Sequence, residues 1–430
     1  MERAVAKQLQ SYLTINNLYE RNQSAYRKYH STETALLSVQ NDIIRAIDGR
    51  KSAVLVMLDL SAAFDTIDHN ILLRRLKKNF GVRGRALKWF SSYLSGRTQK
   101  IKIGEMFSNE QKLCFGVPQG SVLGPVLFSI YSSPVADIAR KHGLYVQLYA
   151  DDTQLYLAFH PIEVNAALAK VEACVAEIKA WMLVNKLQLN GDKTLIILLG
   201  SPRQGTNTYN VEHVLIDGHP IPLSSTVKNL GVLFDEALDM EKHIKSVCRA
   251  SMYHLKNIGS IRRLLSDKTA EQLVHAFVMS RLDYCNALLY GLPSSSINHL
   301  QRIQNIAARI LTGTKKFDHI TPVLKDLHWL PIEQRIRFKL LLLTFKGIHG
   351  MAPEYIKDLL VSYNPSRALR SSDSHRLVVP SSRLKGYGDR SFAVAAPRLW
   401  NALPEKLRKT DSLSSFKRLL KTHLYMQAYL

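Results

Sequence analysis

The stretch that decides the fold of this chain is residues 144–157, LYVQLYADDTQLYL. Two runs rich in Tyr, Leu and Val flank a short polar centre, and this pattern predicts a β-hairpin with Asp151 and Asp152 at its tip. Adjacent carboxylates repel each other, and no Lys or Arg lies between Lys141 and Lys170 to relieve that repulsion. A divalent cation is therefore the natural neutraliser, and hard oxygen ligands suit Mg²⁺.

The segments around the hairpin predict an α+β domain with helices on one face of an antiparallel sheet. The apolar run 53–58 predicts a buried strand that ends in Asp59. Apolar residues recur every three or four positions from Val164 to Met182, which predicts an amphipathic helix, and 195–199 predicts another buried strand. If the strand before Asp59 lies beside the hairpin, three carboxylates converge, as in a two-metal phosphoryl-transfer site.

Elsewhere the patterns predict a chain that is mostly helical. An aspartate, Asp68, is placed to cap one of these helices. The remaining segments are predicted as helix over 2–48 with a polar break at 23–31, helix over 71–78, a surface loop at 201–210, a short strand at 227–234, basic helices over 240–345, loop over 363–395 and a basic helix over 414–425.

Composition places the chain among folded proteins with a polyanionic partner. It has 430 residues, of which 46% are hydrophobic, so it can bury a sizeable core. Lys and Arg number 58 against 35 Asp and Glu, and the net charge is +5 over residues 1–240 but +18 over residues 241–430. On charge alone, nucleic acid and a membrane surface both remain open as partners. No apolar run approaches the roughly 20 residues of a spanning helix, and the four cysteines are expected to be buried free thiols.

A polar turn is the usual explanation of an Asp pair in a hairpin, so the argument for chemistry depends on several motifs together. Residues 149–152 (YADD) resemble the signature of reverse transcriptases. Residues 58–65 (LDLSAAFD) resemble their first catalytic motif, in the form typical of non-LTR, LINE-type retrotransposons, and 115–125 (FGVPQGSVLGP) resemble the motif that positions template and nucleotide. Three further segments resemble motifs of the family and occur in its order: the fingers motif at 23–27 (QSAYR) with Ser31 and Thr32, the lysine motif at 185–194 and the primer grip at 227–232 (VKNLGV). Residues 329–331 and 397–401 are similar to the C-terminal regions of CR1- and jockey-like elements.

The resemblance implies a right-hand polymerase fold. Residues 1–235 would form fingers and palm, 236–345 a helical thumb, and 346–430 a basic, mostly helical C-terminal region. The implied function is an RNA-directed DNA polymerase that transfers nucleotides from dNTPs to a primer 3′-OH. Its partners would be an RNA template, a DNA primer or target and dNTPs, and no membrane would be involved. Its location would be the nucleus and cytoplasm.

The resemblance also assigns roles to single residues. Asp59 and Asp151 would ligate two Mg²⁺ ions, replaceable by Mn²⁺, and Asp152 would complete the acidic cluster. The backbone N–H of Leu60 would bind the triphosphate, and Phe64 would be the steric gate that excludes a ribose 2′-OH. Contacts with nucleotide or template would come from Gln119, Gly120 and Tyr149. Lys193 would donate a proton to pyrophosphate, and Arg27 would bind triphosphate oxygens. Each of three residues has an alternative interpretation: core packing for Phe64, a solvated lysine for Lys193 and a surface arginine for Arg27.

The sequence also departs from full-length elements of this kind. No endonuclease domain precedes the fingers, the earliest fingers motifs are missing, and we find no zinc knuckle. We therefore expect a truncated or partial reading frame. The alternative function is a catalytically inactive or co-opted nucleic-acid-binding remnant, and a group II intron-type maturase is a weaker third interpretation, because no maturase-like tail is visible.

Overall fold

The computed structural model describes residues 1–61, 64–118, 120–201, 211–216, 218–363 and 375–430. Gln119 and all of the predicted loop at 201–210 except Ser201 lie outside the described residues. The chain forms two compact units. The first is built mainly from Met1–His30 and Val54–Leu198, and the second from Ser31–Ala53 and Ser225–Leu430. The predicted polymerase subdomain boundaries at residues 235 and 345 remain predictions.

The helices alternate with short loops along both units. In chain order they are α1 (Glu2–Ile15), α2 (Thr32–Asp48), α3 (His69–Lys78), α4 (Gly84–Leu94), α5 (Gly124–Ser132), α6 (Pro134–Lys141), α7 (Val164–Val184), α8 (Glu241–Ile261), α9 (Asp267–Val274), α10 (Ser280–Asp283), α11 (Ser294–Thr312), α12 (Ile320–Asp326), α13 (Ile332–Ile348), α14 (Glu354–Lys357), α15 (Phe392–Asn401), α16 (Glu405–Arg408) and α17 (Leu413–Tyr429). A π-helical segment, His275–Met279, joins α9 to α10.

The strands are concentrated in the first half of the chain. In order they are β1 (Ser52–Ser61), β2 (Thr98–Gln99), β3 (Lys102–Ile103), β4 (Met106–Phe107), β5 (Gln111–Lys112), β6 (Tyr145–Tyr149), β7 (Asp152–Phe159), β8 (Gln188–Leu199), β9 (His213–Ile216), β10 (His219–Pro222), β11 (Thr226–Asn229) and β12 (Val232–Asp235).

The first unit is organised by a four-stranded sheet in the order β6-β7-β1-β8. The first five residues of β1 are all buried, as expected for a strand covered on both faces. One apolar core joins the sheet to α1, α3, α5 and α7, and its fully buried members include Leu13, Val56, Leu76, Phe128 and Ile178. This mixed helix and sheet architecture agrees with the predicted α+β class.

Several local predictions are confirmed, with longer strands than the patterns indicated. Asp68 caps α3 by accepting a hydrogen bond from the backbone N–H of Ile71 at 2.9 Å. β1 continues to Ser61, so Asp59 lies within the strand and not at its end. β8 begins at Gln188, seven residues earlier than predicted, and this places Lys193 in a strand.

Two predictions in the second unit are wrong. Residues 227–234 form a hairpin, β11–β12, and not one strand, because the chain turns at Leu230 and Gly231, which have φ values of +43° and +86°. The predicted loop over 363–395 gives way to helix α15 at Phe392, and most apolar residues of this helix are buried. Residues 364–374 lie outside the part of the chain that the structure describes.

The second unit has its own aromatic core. The rings of Phe345 and Phe416 stack with centroids 4.3 Å apart, and Trp400 is fully buried beside Phe416. All four cysteines are free thiols, but only Cys174 and Cys285 are buried as expected, whereas Cys248 is half-buried and Cys114 is exposed. Among the described residues we find no helix with the length and apolar character needed to cross a bilayer.

Candidate active site

The predicted hairpin forms with a two-residue turn at its tip. β6 and β7 pair antiparallel with Tyr149 opposite Asp152, which leaves Ala150 and Asp151 as the turn residues. Ala150 has a φ of +57°. Tight hairpin turns of this length require positive φ at their first central position, where glycine is the usual residue. An alanine there costs about 1–2 kcal/mol of backbone strain, so the surrounding structure has to hold the turn in place.

Gln23 provides that support from the segment before the first strand. Its buried side chain accepts a hydrogen bond from the N–H of Ala150 at Oε1 (3.0 Å) and donates one from Nε2 to the carbonyl of Ala150 (3.3 Å). Beside it, the N–H of Ser24 donates to the carbonyl of Leu148 at 2.9 Å, so this segment extends the sheet edge at β6. The strained turn is therefore clamped on both its donor and its acceptor.

No role for Gln23 was predicted from the sequence, although this residue lies within the quoted fingers motif. The signal that could have pointed to it is weak: a glutamine in a polar break has no apolar periodicity to interpret. Its contact with Ala150 joins residues 127 positions apart, and the pairing of residues 22–24 with β6, which includes the parallel bridge between Gln23 and Leu148, brings them together.

β1 brings the third predicted acid to the same site. It lies next to β7 in the sheet, with β8 on its other side. The Oδ2 atom of Asp59 is buried, accepts no hydrogen bond among the described residues, and lies 3.5 Å from Nζ of Lys193. The side chain of Lys193 is 68% exposed, so its ammonium can move away from this carboxylate.

The pKa of the Asp152 carboxyl responds to the charges of the other two acids. Burial, followed by the charges of Asp151 and Asp59, raises the pKa of the Asp152 carboxyl to about 6. Burial and the neighbouring charges of Asp151 and Tyr149 also raise the pKa of the Tyr26 hydroxyl, so this tyrosine belongs to the surroundings of the site. The three acids predicted from the sequence are thus brought together by β1 and the β6–β7 turn.

These side chains have the chemistry of a site for hard divalent cations. They supply only carboxylate oxygens, and the buried Oδ2 of Asp59 still lacks a hydrogen-bond donor. Reverse transcriptases in general use divalent metal ions. Within the described ranges, no three His, Cys, Asp or Glu side chains are grouped closely enough to hold one ion. Lys193 is the cation that lies beside Asp59 in this arrangement.

The loop after β1 and the segment before α5 approach each other closely through their backbones. Gly116 has a φ of +82°, and a Cβ there would lie 2.9 Å from the carbonyl oxygen of Asp65. Its N–H donates to the carbonyl of Ile67 at 2.8 Å, and the N–H of Val117 donates to the carbonyl of Phe64 at 3.0 Å. Only glycine allows this contact, which fixes the loop after β1 against the segment before α5.

Other residues with predicted roles lie around this loop. Phe64 is half-buried, with its ring centroid 5.0 Å from that of Phe128, so one side of the ring packs on the core. Leu60 is buried. Gly120 has a φ of +80° with open space where a Cβ would lie, so its backbone conformation, and not crowding within the chain, favours glycine.

Arg27 is engaged within its own turn. Its guanidinium donates to the carbonyls of Glu20 (2.8 Å) and Gln23 (3.0 Å) and lies 4.6 Å from the ring centroid of Tyr19. In this arrangement it stabilises the loop that carries Gln23, and any contact with a triphosphate would come in addition to that.

A sheet that gathers three carboxylates at a strained hairpin turn defines a candidate nucleotidyl-transfer site, and the comparisons with known proteins agree with this class. Residues 1–234 match the family described as reverse transcriptase (RNA-dependent DNA polymerase), so the chain belongs to the reverse transcriptase family. Its relatives place it with the non-LTR, LINE-type members.

Two relatives from Drosophila melanogaster illustrate this. The chain is 25% identical over 345 residues to a probable RNA-directed DNA polymerase from transposon BS, covering 78% of this chain and 37% of that protein. It is 26% identical over 332 residues to one from transposon X-element, covering 76% and 36%. It therefore spans somewhat more than a third of the length of these relatives. The structure of apo telomerase from Candida tropicalis matches 76% of this chain and 56% of that one, with 10% identity and a TM-score of 0.40.

Proposed function

We propose that this chain is an RNA-directed DNA polymerase that extends a DNA primer on an RNA template, with two Mg²⁺ ions as cofactors. The observation that carries the proposal is the placement of Asp59 on β1 beside β7, which carries Asp152, and of Asp151 in the β6–β7 turn. The raised pKa of Asp152 agrees with this placement. Three carboxylates at one site destabilise each other unless a cation or a proton is bound. A site that retains all three is suited to holding metal ions and, through them, phosphate oxygens.

In this proposal Asp59 and Asp151 are the main metal ligands, and Asp152 adds negative charge to the cluster. When bound, the two ions lower the pKa of the primer 3′-OH and neutralise charge that develops on the pyrophosphate. The Gln23 clamp keeps Asp151 and Asp152 in one position on the turn, so the cluster is preorganised.

The reaction forms a bond between the primer 3′-oxygen and the α-phosphorus of the dNTP, and breaks the bond from that phosphorus to the bridging oxygen of pyrophosphate. Lys193 gives a proton to the departing pyrophosphate in this proposal, which its position beside Asp59 supports. The half-buried ring of Phe64 excludes a ribose 2′-OH. The backbones of Leu60 and Gly120 and the side chains of Gln119, Tyr149 and Arg27 contact nucleotide or template.

The second unit contributes most of the positive charge, with net +18 over residues 241–430. We propose that this region binds the phosphates of template and primer, in a manner that is independent of sequence and weakened by salt. The proposed locations remain the nucleus and cytoplasm.

Primer extension on an RNA template with Mg²⁺ and dNTPs tests the function. We expect the intact chain to incorporate nucleotides, and Asp151→Asn to lower the rate by about 10³-fold or more, because metal binding is worth several kcal/mol in the transition state. Asp137→Asn, which changes an exposed acid on α6, is the matched control and should leave the rate unchanged. No incorporation by the intact chain, with salt-sensitive RNA binding that Asp151→Asn does not alter, would favour the non-catalytic binder instead.

A further inference from the structure

A basic pocket lies in the first unit, between the C-terminal ends of α3 and α7. It has a volume of about 270 Å³ and is lined by Arg74, Arg75, Lys78, Asn79 and Asn185, together with two apolar side chains. This volume is below the roughly 300–1,000 Å³ typical of pockets for drug-sized ligands, so it suits a small group. Its lining includes no acidic residue.

Arg75 is the unusual member of this pocket. It is 9% exposed, and its Nη2 donates to Oδ1 of Asn185 at 2.6 Å. Its guanidinium lies over the rings of Tyr131 and Trp181, with centroids 4.9 and 5.3 Å away. The Nη1 atom is buried and has no hydrogen-bond partner among the described residues. Buried charges are normally paired with an opposite charge, and Arg75 has only neutral partners here.

The neighbouring charges make this arrangement more costly. Burial, together with the like charge of Arg74, lowers the pKa of the Arg75 guanidinium. The two helix ends supply some compensation, because a helix C-terminus is equivalent to about half a negative charge. Two such ends amount to about one negative charge against three cations. The pocket therefore keeps an excess of roughly two positive charges.

We propose that this pocket binds a phosphate group and that its occupant is a backbone phosphate of a nucleic-acid strand. Arg74 and Lys78, which line the pocket and are exposed, provide direct contacts, and Arg75 supplies a buried charge in the same lining. The choice of nucleic acid over a free anion rests on the proposed function, and the phosphate site itself does not. Such a contact fixes the position of a strand without reading its sequence.

Titration with inorganic phosphate tests the site without requiring polymerase activity. The full chain labelled with 5-fluorotryptophan has four tryptophans, and Trp181→Phe assigns the resonance of the one beside Arg75. We expect a saturable shift of that resonance with phosphate and none with chloride at equal ionic strength.

Arg74→Gln/Lys78→Gln should weaken phosphate binding at least tenfold. Lys77→Gln, which changes an exposed cation on the same helix outside the pocket, should not weaken it. Arg75 is left unchanged because its loss would disturb the core. A shift that does not saturate, or that the double variant retains, overturns the site.

RNA binding then identifies the occupant. The slope of log affinity against log salt should fall in magnitude by about one in Arg74→Gln/Lys78→Gln and stay unchanged in Lys77→Gln. A saturable phosphate shift combined with an unchanged RNA salt slope would overturn the backbone phosphate and leave a site for free phosphate. Absence of primer extension by the unaltered chain, with its phosphate shift present, would count against the proposed polymerase and not against this site.

Discussion

Within the described residues, two tight hairpins each carry an aspartate with a raised pKa, and the surroundings of these two aspartates differ. In the β6–β7 hairpin, burial and the charges of Asp151 and Asp59 raise the pKa of Asp152. In the β11–β12 hairpin, burial is the main cause that raises the pKa of Asp235, and the charge of Asp239 is the next. Asp152 is half-buried next to the strained turn, whereas Asp235 is 7% exposed at the opposite end of its hairpin.

The two turns also have different supports. The side-chain amide of Gln23 holds Ala150 by accepting a hydrogen bond from its N–H and donating one to its carbonyl. Leu230 accepts one hydrogen bond from the hydroxyl of Tyr284 at 2.7 Å, and the same ring lies 3.3 Å from where a Cβ of Gly231 would be. A raised carboxyl pKa therefore does not by itself mark chemistry. The neighbours that raise it distinguish a gathered acidic cluster from a buried structural acid.

The largest expected difference between the two hairpins is in activity. Asp152→Asn should lower primer extension by about 10²-fold or more, because a charge of the acidic cluster is lost, without lowering the melting temperature. Asp235→Asn should change the rate by less than about threefold, since Asn can still accept the hydrogen bond that Asp235 takes from the N–H of Asp239 at 2.8 Å. Rate measurements and thermal unfolding of both variants check this. Equal losses of activity would remove the distinction we draw.

The Gln23 clamp gives the next largest effect. Gln23→Met leaves the N–H of Ala150 and that of Ala25 unpaired, and each unpaired buried group costs about 1–3 kcal/mol. We expect a clear loss of unfolding free energy and roughly tenfold slower primer extension.

A second substitution serves as the control for the clamp. Ala150→Gly removes the strain of the positive φ and should restore part of the activity of Gln23→Met. Gln23→Met should bind Mn²⁺ more weakly than the wild type, and adding Ala150→Gly should restore part of that affinity. Electron paramagnetic resonance measures the Mn²⁺ binding. Unchanged metal affinity in Gln23→Met would mean that the clamp does not position the acids.

The contrast between the hairpins also shows how far the sequence could be interpreted. The β6–β7 hairpin was predicted because its strands are continuous in Tyr, Leu and Val and its turn is polar. The β11–β12 hairpin was missed because Leu230, an apolar residue with a side chain that rarely adopts positive φ, occupies the first turn position. The periodicity of α7 and the cap at Asp68 were predictable, since both depend on residues a few positions apart.

The site divides in the same way. The three acids could be predicted, because motif resemblance and strand order place them together. Gln23 and Arg75 could not, because their partners, Ala150 and Asn185, lie more than 100 positions away along the chain. Such pairings are fixed by the packing of segments, and no local pattern of residues records them.

A smaller effect separates the two aspartates by pH. The raised pKa of Asp152 means that the folded state binds more protons than the unfolded state between about pH 4 and pH 6. Without divalent cations, the free energy of unfolding of the wild type should therefore fall relative to Asp152→Asn as pH rises through this range, and then level off. Denaturant unfolding at a series of pH values measures the difference. Adding Mg²⁺ should remove or reverse it, because bound cations favour the ionised carboxylate. Asp235→Asn should show a pH dependence that Mg²⁺ does not change.

The smallest effect concerns the second turn. Tyr284→Phe removes the hydrogen bond to the carbonyl of Leu230 and keeps the ring against Gly231, so it should cost less than about 1 kcal/mol at this partly exposed position. If residues 227–232 act as the primer grip that they resemble, loosening the turn should raise the KM for the primer by about two- to fivefold and leave kcat unchanged, because a loss of 0.5–1 kcal/mol in binding corresponds to about that factor. Steady-state primer extension separates the two constants. A fall in kcat with an unchanged KM would instead connect this hairpin to the chemical step and weaken the contrast with β6–β7.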